Sequence, residues 1–146
     1  MIELDDLLAG TGGALCGTPV AAQFSDFCYD SRIARPGELF LAVVTETGDG
    51  HDYIEAAVCA GATGILCQRS EGVPAGVTCV RVPHTQPALL GYARHILAAR
   101  GIDVVGVTGS VGKTSTKEAI AAVLGTRYEV FRNHGNLNGR YGLPIA

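Results

Sequence analysis

The chain has 146 residues, 47% of them apolar and 17% charged, with a net charge of −3. At roughly 100–200 residues per domain this makes one domain or two small ones, and the sequence is too apolar to be a disordered segment. So weak an acidic excess excludes a face built for a phosphate backbone, and no nucleic-acid partner is expected. The 20 glycines follow no triplet period, which excludes collagen.

No run of ~18 apolar residues marks a membrane span. Met1-Ile2-Glu3-Leu4-Asp5 carries neither the basic nor the apolar stretch of a secretory leader, so a cytoplasmic location is expected. The cysteines (Cys16, Cys28, Cys59, Cys67, Cys79) form no C-x-x-C pair. They read as reduced, mostly buried side chains rather than zinc ligands or a disulfide framework.

In chain order, Leu4 to Ala9 predicts a short helix stopped by Gly10. Extended segments follow around Phe27-Cys28-Tyr29 and over Glu38 to Val44, joined at Pro36-Gly37. Asp52 is placed to cap a helix over Tyr53 to Ala60 that ends at Gly61. Gly64 to Cys67 and Val77 to Val82 read as two short strands, closing a small α/β unit near Pro83. Thr85 opens an amphipathic helix carrying Leu89, Leu90, Ala93, Ile96 and Leu97, terminated by Gly101. Asp103 to Thr108 predicts a buried parallel strand, Lys113 to Leu124 a helix ended by Gly125, and Tyr128 to Phe131 a further strand. From Arg132 the chain is polar and glycine-rich and reads as a loop, up to an apolar end at Leu143-Pro144-Ile145-Ala146 that reads as a stop in mid-fold.

The most specific chemistry lies in Thr108-Gly109-Ser110-Val111-Gly112-Lys113-Thr114-Ser115. A glycine loop between a strand and a helix N-terminus aims backbone N–H groups and the positive end of the helix dipole at one point, which suits phosphate. Lys113 is placed to reach the β- and γ-phosphates of ATP, and the Thr114 hydroxyl to ligate Mg²⁺. No N-K-x-D segment is present to read guanine. The strict G-x-x-x-x-G-K-[ST] spacing fails, because Val107 stands where its first glycine belongs and Gly106 comes one residue early. After Lys113 the acids are Glu118 and Glu129, neither well placed as a second Mg²⁺ ligand.

The displaced glycine points to a family. Gly106-Val107-Thr108-Gly109-Ser110-Val111-Gly112-Lys113-Thr114 resembles the T-G-[ST]-x-G-K-[ST] loop of the Mur ligases, with Val111 in place of the usual Asn. Asp30-Ser31-Arg32 followed by Pro36-Gly37-Glu38-Leu39-Phe40-Leu41-Ala42 resembles that family's D-S-R-x-x-x-P-G-D-L-F-x-A segment. Asp49-Gly50-His51-Asp52-Tyr53-Ile54 and Ala60-Gly61-Ala62 continue it, with Thr45 and Gly48 as departures. Taken alone, Asp30-Ser31-Arg32 is an ordinary turn with a surface ion pair; the order of the motifs is what carries the likeness. Gly135-Asn136-Leu137-Asn138-Gly139 and Tyr141 to Pro144 are similar to the segment of the D-alanyl-D-alanine-adding branch, with Gly139 replacing a second Asn. On their own these Asn and Gly residues could equally make turns.

The resemblance implies an α/β fold: a small UDP-binding N-terminal domain (residues 1–83), a connecting helix (84–101) and the first strand–P-loop–helix–strand of a Rossmann-like P-loop ATPase domain (102–146). It implies an ATP-dependent ligase of peptidoglycan precursor synthesis that joins UDP-MurNAc-tripeptide to D-Ala-D-Ala through an acyl phosphate, using ATP and Mg²⁺. Ser31 and Arg32 inherit the uridine end of the nucleotide sugar, residues 109–115 the ATP phosphates, and Asn136 and Asn138 a substrate contact. The chain alone is expected to be inactive. Two alternatives stay open: the tripeptide-forming ligase or another relative, and a stand-alone UDP-sugar-binding module with a vestigial phosphate loop.

Overall fold

A computed structural model describes residues 1–133 of the chain. In order the elements are β1 (Ile2–Glu3), α1 (Leu4–Thr11), β2 (Ala14–Cys16), β3 (Gln23–Phe24), β4 (Phe27–Cys28), β5 (Leu39–Leu41), a 3₁₀ turn (Gly50–Tyr53), α2 (Ile54–Cys59), β6 (Gly64–Cys67), β7 (Thr78–Arg81), α3 (Thr85–Arg100) and α4 (Lys113–Leu124).

Five strands form one sheet in the order β2-β7-β6-β5-β4. β4 through β7 run parallel, and β2 adds an antiparallel edge through Cys16↔Cys79. β1 and β3 pair separately. Strands buried on both faces read as near-continuous apolar runs, and side chains alternate between the faces. Leu39, Leu41, Leu66 and Val80 join Leu7, Ala88, Leu89 and Tyr92 in a core under α1 and α3. Phe40, Ala42, Ile65, Cys67 and Cys79 join Ile54 and Ala57 in a second core under α2. The buried Thr78 hydroxyl is fully used, donating to Ala21 O (2.9 Å) and accepting from the Val20 and Ala21 amides. The cysteines are free thiols, and three are buried.

Four expectations need correction. Gly10 does not stop α1, which continues to Thr11 and closes on Gly12 in the left-handed region (φ +64°). Gly10 serves helix packing instead: a Cβ there would sit 2.7 Å from Tyr92 Cα, and one on Gly91 would sit 2.5 Å from Gly10 O. The two glycines let α1 and α3 cross closely, so the absent side chain marks a contact and not a terminus. Second, Asp52 is not the cap. Asp49 takes that role by accepting from the His51 amide, and a 3₁₀ turn intervenes before α2.

The other two corrections concern strands. Asp103 to Thr108 and Tyr128 to Phe131 form no ladder among the described residues. Val104 and Val105 are mostly exposed. A parallel strand is held by neighbours and by helices over its faces, and neither reaches these segments here. The helix between them needs no such partner, and α4 spans Lys113–Leu124 with Gly125 as its C-cap, as the sequence predicts.

Candidate functional site

All four parallel strands end on the same edge of the sheet, where ligands of open α/β folds gather. β4 runs out into Asp30-Ser31-Arg32, β5 into the loop of residues 42–53, and β6 into Gln68-Arg69.

The turn after β4 is built on one carboxylate. Asp30 Oδ1 accepts from the Arg32 amide (3.0 Å) and from Nε (2.8 Å), and Oδ2 accepts from the guanidinium nitrogen Nη2 (2.6 Å). The fork-to-fork bond with Arg32 holds the Asp30 carboxyl down at about 2 and raises Arg32 further. The Arg32 side chain remains 85% exposed, so its outer face is open to an anion. Ser31 is partly buried beside it. A depression of about 130 Å³ opens next to this turn, lined by Phe27 to Asp30, Ile33, Arg35 and Glu38.

The loop after β5 is pinned from beneath. His51 is almost wholly buried, with Nδ1 2.6 Å from Asp49 Oδ1. Its Nε2 receives the Gln68 amide (3.0 Å) and the Arg69 amide (3.3 Å). An imidazole nitrogen that accepts from amides carries no proton, so the ring is the neutral tautomer with its hydrogen on Nδ1. Asp49 also pairs with the Arg69 guanidinium at 2.7 Å. The His51 amide first, then the imidazole and Arg69, hold Asp49 down at about 2. Gly50 is required by contact, since a Cβ there would meet Val43 N at 2.5 Å. The Gln68 amide group donates to Thr85 Oγ1, which donates to Ala42 O, each at 3.3 Å, so α3 is tied to the same edge.

The phosphate-loop residues lie together at the head of α4. Gly109 and Gly112 both take positive φ (+153° and +78°), conformations that L side chains rarely adopt. Lys113 turns back across the loop, donating from Nζ to Gly109 O at 2.6 Å. No side chain caps the helix and no acid stands in its first turn, so the N–H groups and the dipole there are left for an anion. Ser110, Val111, Thr114 and Ser115 are exposed around it. These groups fit a polyphosphate. They fit Mg²⁺ in part: Thr114 supplies a hydroxyl, but Glu118 is engaged by Lys117 (3.4 Å) and by Arg132. Asn136 and Asn138 lie outside the described residues.

Sequence reasoning missed Arg69, whose one cue is its place just past a buried strand. It also read Asp49 and His51 as family letters without a role. Their spacing of two, around a glycine, is the pattern of an Asx turn.

Residues 26–130 match the model of the Mur ligase family, catalytic domain. The chain belongs to the Mur ligase family. It is 41% identical over 118 residues to the UDP-N-acetylmuramoyl-tripeptide–D-alanyl-D-alanine ligase of Bacillus subtilis, covering 80% of this chain and 26% of that protein. A crystal structure of MurF from Acinetobacter baumannii superposes with a TM-score of 0.87 at 27% identity, covering 98% of this chain and 31% of that one. MurF from Thermotoga maritima, solved in complex with ADP, gives 0.71 at 38% identity, covering 82% and 28%. The chain thus spans about a quarter to a third of the length of the curated relatives it matches.

Proposed function

We propose that this chain is the sugar-nucleotide-binding and phosphate-loop portion of an ATP-dependent ligase that joins UDP-MurNAc-tripeptide to D-Ala-D-Ala in the cytoplasm. The observation that carries the reading is the pairing, in one Mur ligase chain, of two arrangements whose chemistry suits an anion. One is the exposed guanidinium of Arg32, fixed on Asp30 at the sheet's carboxyl edge. The other is the uncapped head of α4 with Lys113 folded over it.

In this reading residues 1–83 hold the nucleotide sugar, 84–101 connect, and 102–146 begin the ATP-binding domain. Ser31 and Arg32 take the uridine end, since a hydroxyl and a planar guanidinium suit uracil carbonyls and diphosphate oxygens. The amides and side chains of Gly109, Ser110, Val111, Gly112, Lys113, Thr114 and Ser115 take the ATP phosphates. The tripeptide carboxylate attacks the γ-phosphorus, giving an acyl phosphate and ADP. The dipeptide amine then adds to the acyl carbon, and the collapse of the tetrahedral adduct expels phosphate and forms the amide. Lys113 neutralises charge on the phosphoryl group in transfer. Bound at Thr114, Mg²⁺ supplies further charge neutralisation; Asn136 and Asn138 complete the substrate contact.

The 146-residue chain alone is read as binding without turnover: of the acids after the loop, Glu118 is engaged by Lys117 and Arg132, and Glu129 lies in no strand that would hold it as a second metal ligand. Calorimetry with the purified chain tests the reading. UDP-MurNAc-tripeptide binds, and binding is lost in Arg32→Ala; ATP binds, and Lys113→Ala weakens it roughly tenfold or more, the scale of a lost charged hydrogen bond. Absence of sugar-nucleotide binding by the unaltered chain overturns the reading. Sugar-nucleotide binding without ATP binding favours the stand-alone module, and phosphate release with all three substrates overturns the inactivity.

A further inference from the structure

We propose that Arg69 is a second guanidinium of the sugar-nucleotide site, a contact for the diphosphate, and that Asp49 and His51 are positioning residues that hold it there. The proposal rests on the reading of this edge as a sugar-nucleotide site.

Arg69 is fixed at both ends of its length. Its backbone amide donates to His51 Nε2, and its guanidinium is held 2.7 Å from Asp49 Oδ2. Both anchors come from one loop, 42–53, and both converge on Asp49, which also accepts from the His51 amide (2.9 Å) and faces the imidazole Nδ1 (2.6 Å). A long cationic side chain on a surface ordinarily loses freedom when it binds; one that is already held loses less. Half of the Arg69 side chain stays exposed, so binding to Asp49 leaves donors for an outside acceptor.

The pattern repeats what is seen at Arg32. There too a carboxylate orients a guanidinium whose outer side is open, from the same turn at Arg32 and from the neighbouring loop at Arg69. The two turns follow β4 and β6, on either side of the loop that follows β5. Tyr53, at the end of that loop's 3₁₀ turn, lies within electrostatic reach of Arg32, while Asp49 at its start holds Arg69. A diphosphate carries two charges along a short span, and two oriented forks along one edge match it.

The test uses the 146-residue chain with UDP and UDP-MurNAc-tripeptide by calorimetry, and with uridine by saturation-transfer NMR. Arg69→Ala is expected to weaken both diphosphate ligands roughly tenfold or more and to leave uridine unchanged. Arg69→Lys, which keeps the charge but not the fork, is expected to fall between. Asp49→Asn, which frees Arg69, is expected to weaken UDP several-fold with uridine again unchanged. If Arg69→Ala binds UDP like the unaltered chain, the proposal is overturned and the Arg32 site stands. If UDP and uridine fall together in Arg69→Ala or Arg69→Lys, Arg69 is merely structural and the proposal is overturned. If the unaltered chain binds neither diphosphate ligand, the reading of the edge fails and takes this proposal with it.

Discussion

Leu39 to Leu41 and Val104 to Val107 are apolar runs of the same kind in sequence, yet they behave oppositely in the fold. The first is a central strand with no residue exposed, between β6 and β4 and under helices on both faces. The second pairs with nothing among the described residues, and Val104 and Val105 stand 67% and 60% exposed. Propensity and pattern were equal; neighbours were not. A strand is a property of the sheet that receives it, whereas a helix closes its own hydrogen bonds, which is why α4 forms at the edge of the same unpartnered region. In the proposed function the neighbours come from the length that the relatives have beyond this chain.

The sharpest way to break that contrast is to cut a side chain from each region. Leu66→Ala empties a fully buried site between two strands and should cost about 2–5 kcal/mol. Val105→Ala removes an exposed side chain and should stay within about 0.5 kcal/mol. Urea unfolding followed by circular dichroism measures both, and comparable losses would mean that residues 102–108 are packed in solution.

Glycines sharpen it further. Gly50→Ala forces a Cβ to within 2.5 Å of Val43 N and should destabilise by about 1–3 kcal/mol. Gly106→Ala meets nothing within 4 Å and should be neutral or slightly stabilising, by the entropy it removes from the unfolded chain. The same residue type thus serves close packing in the first region and meets no neighbour in the second, a distinction that composition cannot make.

That limit explains what was legible. β6 and α4 were readable to the residue because a doubly buried strand and a glycine-stopped helix carry their signals locally. The short strands β1, β2 and β3 were invisible, since two- and three-residue strands have no period to detect. At the candidate site, Arg32 and the residues 109–115 stood in contiguous motifs. Arg69 did not, because its partners Asp49 and His51 are some twenty residues away in the chain and meet it only through the parallel order of β5 and β6.

A smaller effect follows from Asp49. Its carboxyl sits at about 2 in the fold against an ordinary value of 3.8. The unfolded chain therefore binds the proton first as pH falls, and the stabilising contribution is present above pH 4 and drains away between about 4 and 2. The group is partly open to solvent, so the contribution is screened and modest. Unfolding midpoints taken from pH 6 to pH 2 should show a steeper loss in the parent chain than in Asp49→Asn; parallel curves would mean the ion pair with Arg69 is not formed in solution.

The smallest stability effect belongs to Arg32, and its smallness is informative. Its guanidinium is 85% exposed, and an ion pair in that setting adds little to the fold, because solvent screens the charge and ordering the side chain offsets the gain. Arg32→Ala should therefore leave the unfolding midpoint where it was. In the proposed function the same substitution removes the fork that holds the sugar nucleotide, so binding should vanish while the fold stays. His51→Ala should do the reverse in proportion: it takes the acceptor from the part-buried Gln68 amide and from the Arg69 amide, lowers the midpoint, and weakens binding through Arg69 alone. Arg32 and His51 stand on the same edge, one facing solvent and the other facing the core, and a midpoint that drops in Arg32→Ala would show that this division is wrong.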